Sequence, residues 1–402
     1  MEVGVSIERA IEISSSFPLN YKIENISIKD AYNRILSEHL PSNVDDPPFD
    51  NSAMDGWAVI ESDCIELPVK LNIVGTSQAG SNLDFSITKG QASRIMTGAP
   101  IPPGADSIVM IEDSEIYDNQ VLINGLARRN YIRKKGENLS KDEICLKSGV
   151  LLKPAQLAIA SMMGYSELSV IIPPKIAIIG TGNELIEPGK KLKPGQIYES
   201  NTKALFGFIK EIGCEPISYS FVDDDMNKLR EIFDVASKEC DAIITSGGVS
   251  MGDWDLVRKL MEDEGDTKFW KIKIKPGGPP LFGLWNKTPL FGLPGNPVSS
   301  QVVFMNIVAP WISNSCGFDE FDGPKLFERV RVKLLSNAKG SKNKVTFRRI
   351  NIFFDNDILV ANVANNQGSG NLRGMVDCNG LTFLPAGVDG IKDDFVDAIW
   401  IR

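Results

Sequence analysis

Apolar residues recur along this chain in two different rhythms. Behind Ser6, the residues Ile7, Ala10, Ile11 and Ile13 fall at helical spacing, which predicts a capped helix over 6–17. A second helix is expected over 28–39, before Pro41, Pro47 and Pro48 force an extended path. From Trp57 to Ile144 the rhythm shortens. Apolar runs at 69–74, 92–96, 107–111 and 120–123 are separated by Gly, Pro, Asn and Asp, the pattern of a mostly β domain. Residues 149–163 read as a strand end and a helix that starts at Pro154 and stops at Gly164.

After Pro173-Pro174 strands and helices alternate. A buried strand at 176–179 precedes a helix over 202–212, with Leu205, Phe208, Ile209 and Ile212 on one face, Ser200-Asn201 as its cap and Gly213 as its stop. Strands at 217–222 and 242–245, with helices at 229–237 and 298–308, continue the series. That alternation predicts a parallel sheet covered on both faces, with ligands at the carboxyl ends of its strands. From residue 325 the pattern is strand-like again (330–334, 345–354, 358–363, 381–385, 397–401), which reads as a small β-barrel. The fold class expected is therefore α/β plus β, in several domains.

At 402 residues the chain exceeds what one core supports. Its 43% hydrophobic and 24% charged residues are those of a globular protein. A net charge of −9 disfavours a general nucleic-acid binder. No apolar run reaches spanning length, so no membrane segment is expected. The start MEVGVSIERAIEI carries no secretory pattern, and a cytoplasmic location follows as the expectation. Six scattered cysteines without a Cys-x-x-Cys read as reduced thiols, and the single histidine, His39, excludes multi-histidine metal sites.

The chemistry concentrates in 241–255, DAIITSGGVSMGDWD. A β-branched run ends in Ser246-Gly247-Gly248, a turn whose amides suit a phosphate. Ser250, Asp253 and Asp255 follow. Carboxylates beside a phosphate cradle repel its ligand unless Mg²⁺ bridges the two. The plainer alternative is a helix whose first turn is acidic because the dipole favours it. Glu184 and Asp224 also follow strand ends, and acidic residues after three successive strands favour the metal–phosphate reading. Asp50 and Asp55 sit on a proline-stiffened loop, and Thr97 lies in a second turn. The basic run Arg128, Arg129, Arg133, Lys134 and Lys135 reads as a solvated face or an anion contact. Lys271, Lys273 and Lys275 alternate with isoleucines and so share one strand face, leading to a PGGPP turn. Pro294-Gly295-Asn296-Pro297 opens a helix with its amides forward.

The segments PPFDNSAMDGWAV, RIMTGAPIPPGAD, GTGNEL, GQIYESN, SGGVSMGDWD, FWKIKIKPGGPP and GLPGNPVSS together resemble the molybdopterin molybdenumtransferase family, MoeA in bacteria and the E domain of gephyrin in animals. The resemblance implies four regions. These are an elongated helical region (1–45 with 146–172), an inserted β domain (46–145), a parallel-sheet molybdopterin-binding α/β domain (173–322) and a C-terminal β-barrel (323–402). It implies a homodimer with a shared cleft, and insertion of molybdate, or tungstate, into adenylylated molybdopterin with Mg²⁺ and release of AMP. Molybdopterin adenylyltransferase and cofactor-accepting enzymes are the partners it implies. By resemblance, Asp55 and Thr97 face the metal oxyanion. Glu184, Asp224 and Asp255 serve Mg²⁺ and pterin contacts. Lys271 and Lys275 meet phosphate and molybdate. Ser246, Gly247, Gly248, Ser250, Pro294, Gly295, Asn296 and Pro297 form cofactor-binding walls, and Arg349 and Ser369 contribute from the last domain. One departure is visible: many members read Lys-Pro-Gly-Lys-Pro where this chain has Gly278 as the fourth residue. Two other classes fit parts of the pattern. An adenylyltransferase shares the α/β domain but is normally that domain alone, and a non-catalytic scaffold would not need the acidic and basic positions.

Overall fold

The computed structural model describes residues 1–80, 82–219, 221, 225–250 and 255–401. It divides into two compact units. One is Met1–Glu38 with Ser148–Pro154 and Glu167–Arg402, the other His39–Lys147 with Ala155–Ser166.

The first unit is built on a seven-stranded sheet. In spatial order its strands are Glu2–Val5, Asp266–Ile272, Leu281–Trp285, Thr288–Leu293, Ala242–Ser246, Lys175–Gly180 and Glu215–Ser218. Strand alternation divides the core into two layers. Ile176, Ile178, Ala242 and Ile244 face the layer holding Ala10, Leu205, Ile209 and Val302, whereas Ala177, Ile179 and Ile243 face Leu229, Phe233, Val257 and Leu260. Helices therefore cover both faces. Phe282, Phe291 and Trp311 pack ring on ring in the first layer, the closest centroids 4.5 Å apart.

The sheet is mixed, not parallel as the alternation predicts. Leu281–Trp285 runs antiparallel to both of its neighbours. The reversal is made by a two-residue turn in which Asn286 (φ 49°) and Lys287 (φ 73°) are both left-handed. Asparagine takes this conformation readily, but lysine does so rarely, so the turn carries a weak sequence signal.

The expected helical N-terminal region also differs. Ile7–Ser15 is a helix, with Ser6 Oγ accepting the Arg9 amide at 3.1 Å. The strand before it, Glu2–Val5, belongs to the large sheet. No helix spans 28–39. A single 3₁₀ turn, Ile28–Asp30, is followed by Asn33 at φ 62°. The backbone then bonds across the chain, Asn33 N–H to Leu152 O and Leu36 N–H to Val150 O. These ladder contacts, made by residues more than a hundred positions away, override the local helical spacing.

Elsewhere in this unit, the helix that starts at Pro297 runs on through a π-turn at Phe304–Val308 to Cys316. A closed five-stranded barrel follows, formed by Glu328–Leu334, Ile358–Val363, Arg349–Asp355, Gly380–Phe383 and Phe395–Trp400. The expected strand over 345–354 splits, and Val345–Thr346 pairs instead with Ile274–Lys275.

The second unit carries a six-stranded sheet, in spatial order Ser107–Met110, Gly56–Val59, Gln91–Ile95, Val69–Ser77, Gln120–Ile123 and Ser114–Tyr117, around Trp57, Leu71, Val109 and Val121. Its basic run is a face of ion pairs. Arg129 meets Glu61 at 2.8 Å and Asp106 at 2.9 Å, Lys134 meets Asp50 at 2.7 Å, and Lys135 meets Asp45 at 3.2 Å. Among the described residues, no helix is long and apolar enough to cross a membrane.

Candidate functional site

A cleft of about 660 Å³ opens in the first unit at the carboxyl ends of Lys175–Gly180, Ala242–Ser246 and Thr288–Leu293. This is where a doubly wound sheet presents its ligands. Three loops line it: Thr181, Gly182 and Glu184 after the first strand, 246–250 at the end of the second, and 294–297 after the third. Asp255, Pro279 and Gly370 complete the wall together with 197–201.

The glycine turn is close-packed. Gly247 and Gly248 have φ of 100° and 69°, and a Cβ on Gly247 would lie 2.6 Å from Thr181 O. Only glycine fits there. Of the amides expected to be bare, that of Gly247 is used, donating to Leu293 O at 3.0 Å. The amides of Gly248, Val249 and Ser250 donate to no acceptor among the described residues. They are therefore without a protein acceptor, and the residues that carry them line the cleft.

The carboxylates occupy different settings. Glu184 is exposed and folds back over Gly182, whose φ of 144° leaves room for it. Asp255 stands half-buried at the head of the helix Leu256–Asp263. Glu199 is buried and already engaged, accepting the amide and the hydroxyl of Thr202, each at 2.6 Å. It, and not Ser200, caps the helix Asn201–Glu211. Asp224 and Asp253 lie outside the described residues. Among the described residues no three His, Cys, Asp or Glu side chains are gathered to hold a metal ion. Two carboxylates in one cleft with open amides nonetheless fit Mg²⁺, which commonly takes one or two carboxylates and completes its octahedron with water and substrate phosphates.

Asn201 ties two of the loops together. Its Nδ2 donates to Ser246 Oγ and to Gly295 O, both at 2.8 Å. The sequence reads Asn201 only as part of a helix cap, and it leaves Thr181, Ser299 and Gly370 within their segments without a role in the site.

The remaining sequence candidates fall elsewhere. Arg349 is 1% exposed and does not line the cleft. Its guanidinium donates to the carbonyls of Asn366 (2.6 Å), Gly368 (3.1 Å) and Asn371 (3.4 Å), and burial lowers its pKa. It holds the loop that carries Ser369 and Gly370. Ser369 O in turn accepts the Val298 amide at 3.1 Å. Lys271 lies over the Trp270 ring, 3.8 Å from its centroid, and Lys275 is exposed at the start of the PGGPP turn. Neither lines the cleft, although Pro279 of that turn does. Asp55 and Thr97 belong to the second unit, where the structure brings them together: the Thr97 amide donates to Asp55 Oδ1 at 2.9 Å on an exposed surface. Asp50 is held by Lys134 and by the Lys135 amide, which keep its carboxyl below the usual range.

Comparison with known proteins places these elements in a wider setting. Residues 5–164 match the MoeA N-terminal region (domain I and II), 177–314 a probable molybdopterin binding domain, and 331–393 the MoeA C-terminal region (domain IV). The chain is 36% identical over 325 residues to the molybdopterin molybdenumtransferase of Haemophilus influenzae, covering 80% of each. To that of Nostoc sp. it is 32% identical over 373 residues, covering 90% of this chain and 85% of the relative. A crystal structure of the molybdopterin biosynthesis MoeA protein from Pyrococcus horikoshii superposes with a TM-score of 0.85 at 26% identity, covering 99% of this chain and 100% of that one.

Proposed function

The chain belongs to the molybdopterin molybdenumtransferase family, enzymes of molybdenum cofactor biosynthesis, and on that footing we propose that it inserts molybdate into adenylylated molybdopterin and releases AMP. The observation that carries this reading is the pairing of two carboxylates, Glu184 and Asp255, with open turn amides in one cleft. Cleaving the phosphoanhydride places growing negative charge on phosphate oxygens. The amides of 248–250 are pre-oriented donors for that charge and need no reorganisation as it develops. Glu184 and Asp255, with Asp224, would hold Mg²⁺, which when bound neutralises phosphate charge and orients the leaving group. Asn201 keeps the Ser246 and Gly295 loops at a fixed separation, so the ligand meets a set geometry. By family resemblance, Asp55 and Thr97 of the second unit serve the oxyanion substrate, which is molybdate or tungstate. The working form is a cytoplasmic homodimer. It receives its substrate from the adenylyltransferase and passes product to cofactor-accepting enzymes.

The test is AMP release from adenylylated molybdopterin by the purified protein with Mg²⁺, with and without molybdate, and again with tungstate. Oxyanion-dependent release is the expected result, lost in Asp55→Ala and in Asp255→Ala with the fold intact. Release that ignores molybdate would overturn the transferase reading. Formation of the adenylylated pterin from ATP would favour an adenylyltransferase, and binding without turnover a scaffold.

A further inference from the structure

Lys344 carries no role in the reading above, yet the backbone brings it to the edge of the site. The barrel segment Val345–Thr346 pairs in parallel with Ile274–Lys275. The Val345 amide donates to Lys273 O at 2.9 Å, and the Phe347 amide to Lys275 O at 2.8 Å. A bridge between Ser341 and Lys344 closes the turn just before this pairing, so the Lys344 backbone is fixed on one side. On the other side, the Ile272 amide donates to Gly278 O at 2.9 Å and folds the PGGPP turn back over its own strand. The two anchored backbones bring the Lys344 ammonium over Gly278. A Cβ built on Gly278 would lie 3.4 Å from Lys344 Nζ. The next residue, Pro279, is part of the cleft wall.

Three lysines stand on the paired segments that form and flank this turn. Lys273, Lys275 and Lys344 are exposed, and none pairs with an acidic side chain among the described residues. The lysines elsewhere on this surface behave differently: Lys268, Lys325 and Lys333 each have a carboxylate within 4.0 Å. Lysines on paired backbone segments without acidic partners favour an anion that neutralises them. Lysine is a point-charge ligand for tetrahedral oxyanions and needs no fixed approach plane.

We propose that Lys344 is a further substrate-binding residue. It supplies from the barrel the ammonium for which the glycine at 278 leaves space, and it takes a tetrahedral oxyanion, either a ligand phosphate or molybdate. The proposal rests on the transferase reading for the identity of the anion. The chain does not lose a second cation at this turn through Gly278, because another segment delivers one.

The geometry supplies its own test. Gly278 has no positive φ, and its Cβ would meet nothing closer than the flexible end of Lys344, then Ile274 O at 3.6 Å. A lysine is therefore sterically accepted there once Lys344 is shortened. The full chain is compared with Lys344→Ala, with Lys344→Ala/Gly278→Lys and with Lys342→Ala, an exposed lysine two residues away, as a control for net charge. Calorimetry with molybdate alone and with AMP alone distinguishes the two sources of the anion, and Tm reports the fold. Lys344→Ala should weaken one of the probes about tenfold with Tm unchanged, as expected for one charge-assisted contact. The double variant should recover most of that affinity, and Lys342→Ala should stay within about twofold of the parent, as a screened surface charge does. Equal binding of both probes by Lys344→Ala, an equal loss in Lys342→Ala, or no recovery in the double variant would each overturn the proposal. A parent protein that binds the anions but shows no molybdate-dependent AMP release would refute the transferase reading and leave Lys344 as an anion ligand. A parent that turns over normally alongside an unaffected Lys344→Ala would refute only the role of Lys344.

Discussion

Gly182→Ala perturbs the site by a single methyl group, and its effect follows from two distances. The residue sits at φ 144°, where a Cβ would lie 2.6 Å from Glu184 Oε2 and 2.8 Å from Oε1. To reach ordinary contact at 3.4 Å the carboxylate must retreat by roughly 0.8 Å. The clash itself costs little stability, because Glu184 is exposed and its end is flexible. The backbone conformation costs more, of order 1–3 kcal/mol for alanine in a region natural to glycine, seen as a fall of a few degrees in Tm. Catalysis should suffer out of proportion. If Glu184 has its proposed role, a displacement approaching 1 Å at this carboxylate costs on the order of tenfold to a hundredfold in turnover. The assay is steady-state AMP release at saturating substrate, run well below Tm, with Glu184→Gln as the reference for complete loss of the carboxylate charge. Expected is a variant that stays folded, with turnover between the parent and Glu184→Gln. If Gly182→Ala retains parental turnover while Glu184→Gln is inactive, the position of this carboxylate is not what matters and the reasoning fails.

Two further outcomes can be checked. Arg349→Met removes the donor shared by the carbonyls of Asn366, Gly368 and Asn371, and losing these charge-assisted bonds on a partly exposed loop should cost about 1.5–3 kcal/mol. Hydrogen exchange should quicken at the Val298 amide, which depends on Ser369 O, while the barrel strands stay protected; Arg349→Lys should restore little, since an ammonium cannot span three carbonyls in that plane. Unchanged exchange at Val298 would show that the loop holds itself. Burial raises the thiol pKa of Cys64 to about 11 and that of Cys316 to about 12, so both should resist iodoacetamide at about pH 8 in the folded protein and react once it is unfolded. The same shifts have a stability sign. Both thiols keep their protons in the fold after an unfolded chain has lost them, so this contribution is intact below about pH 8.5 and declines as pH rises towards about 11 and 12. Rapid labelling of native Cys316 under those conditions would refute the assignment.

Much of the fold was legible in local pattern. The β-branched run at Ala242–Ser246 is buried throughout, and the glycines after it turn where turning was expected. The cleft loops were recognisable because each follows a buried strand. What escaped was decided by partners far away in sequence. The spacing over 28–39 is helical, but bonds to Val150 and Leu152 draw that backbone into extended pairing. The Asn286-Lys287 hairpin hid because lysine rarely adopts a left-handed conformation. Arg349 is assigned to the ligand by resemblance, and only the structure reveals that its two terminal nitrogens are taken by three carbonyls of one loop, while Nε has no partner among the described residues. Glu199 was passed over for the opposite reason. Its role as a cap needed the position of Thr202, not its own identity.

The strand Glu2–Val5 gives the large sheet an unusual order of completion. It pairs with Phe269, Trp270 and Ile272, so its partners are translated only after most of the chain has emerged. During synthesis at ordinary ribosomal rates, that segment waits for tens of seconds with an unsatisfied edge. Among the described residues, the opposite edge of the same strand remains unpaired in the finished sheet. The folded sheet therefore keeps, along Glu2–Val5, a row of backbone groups able to recruit another chain, and the charged Glu2 and Arg9 clamp beside it is the kind of feature that discourages such pairing. A fusion next to this strand would load an edge whose partner is made late, and its cost would appear as aggregation during expression more than as a lower melting temperature.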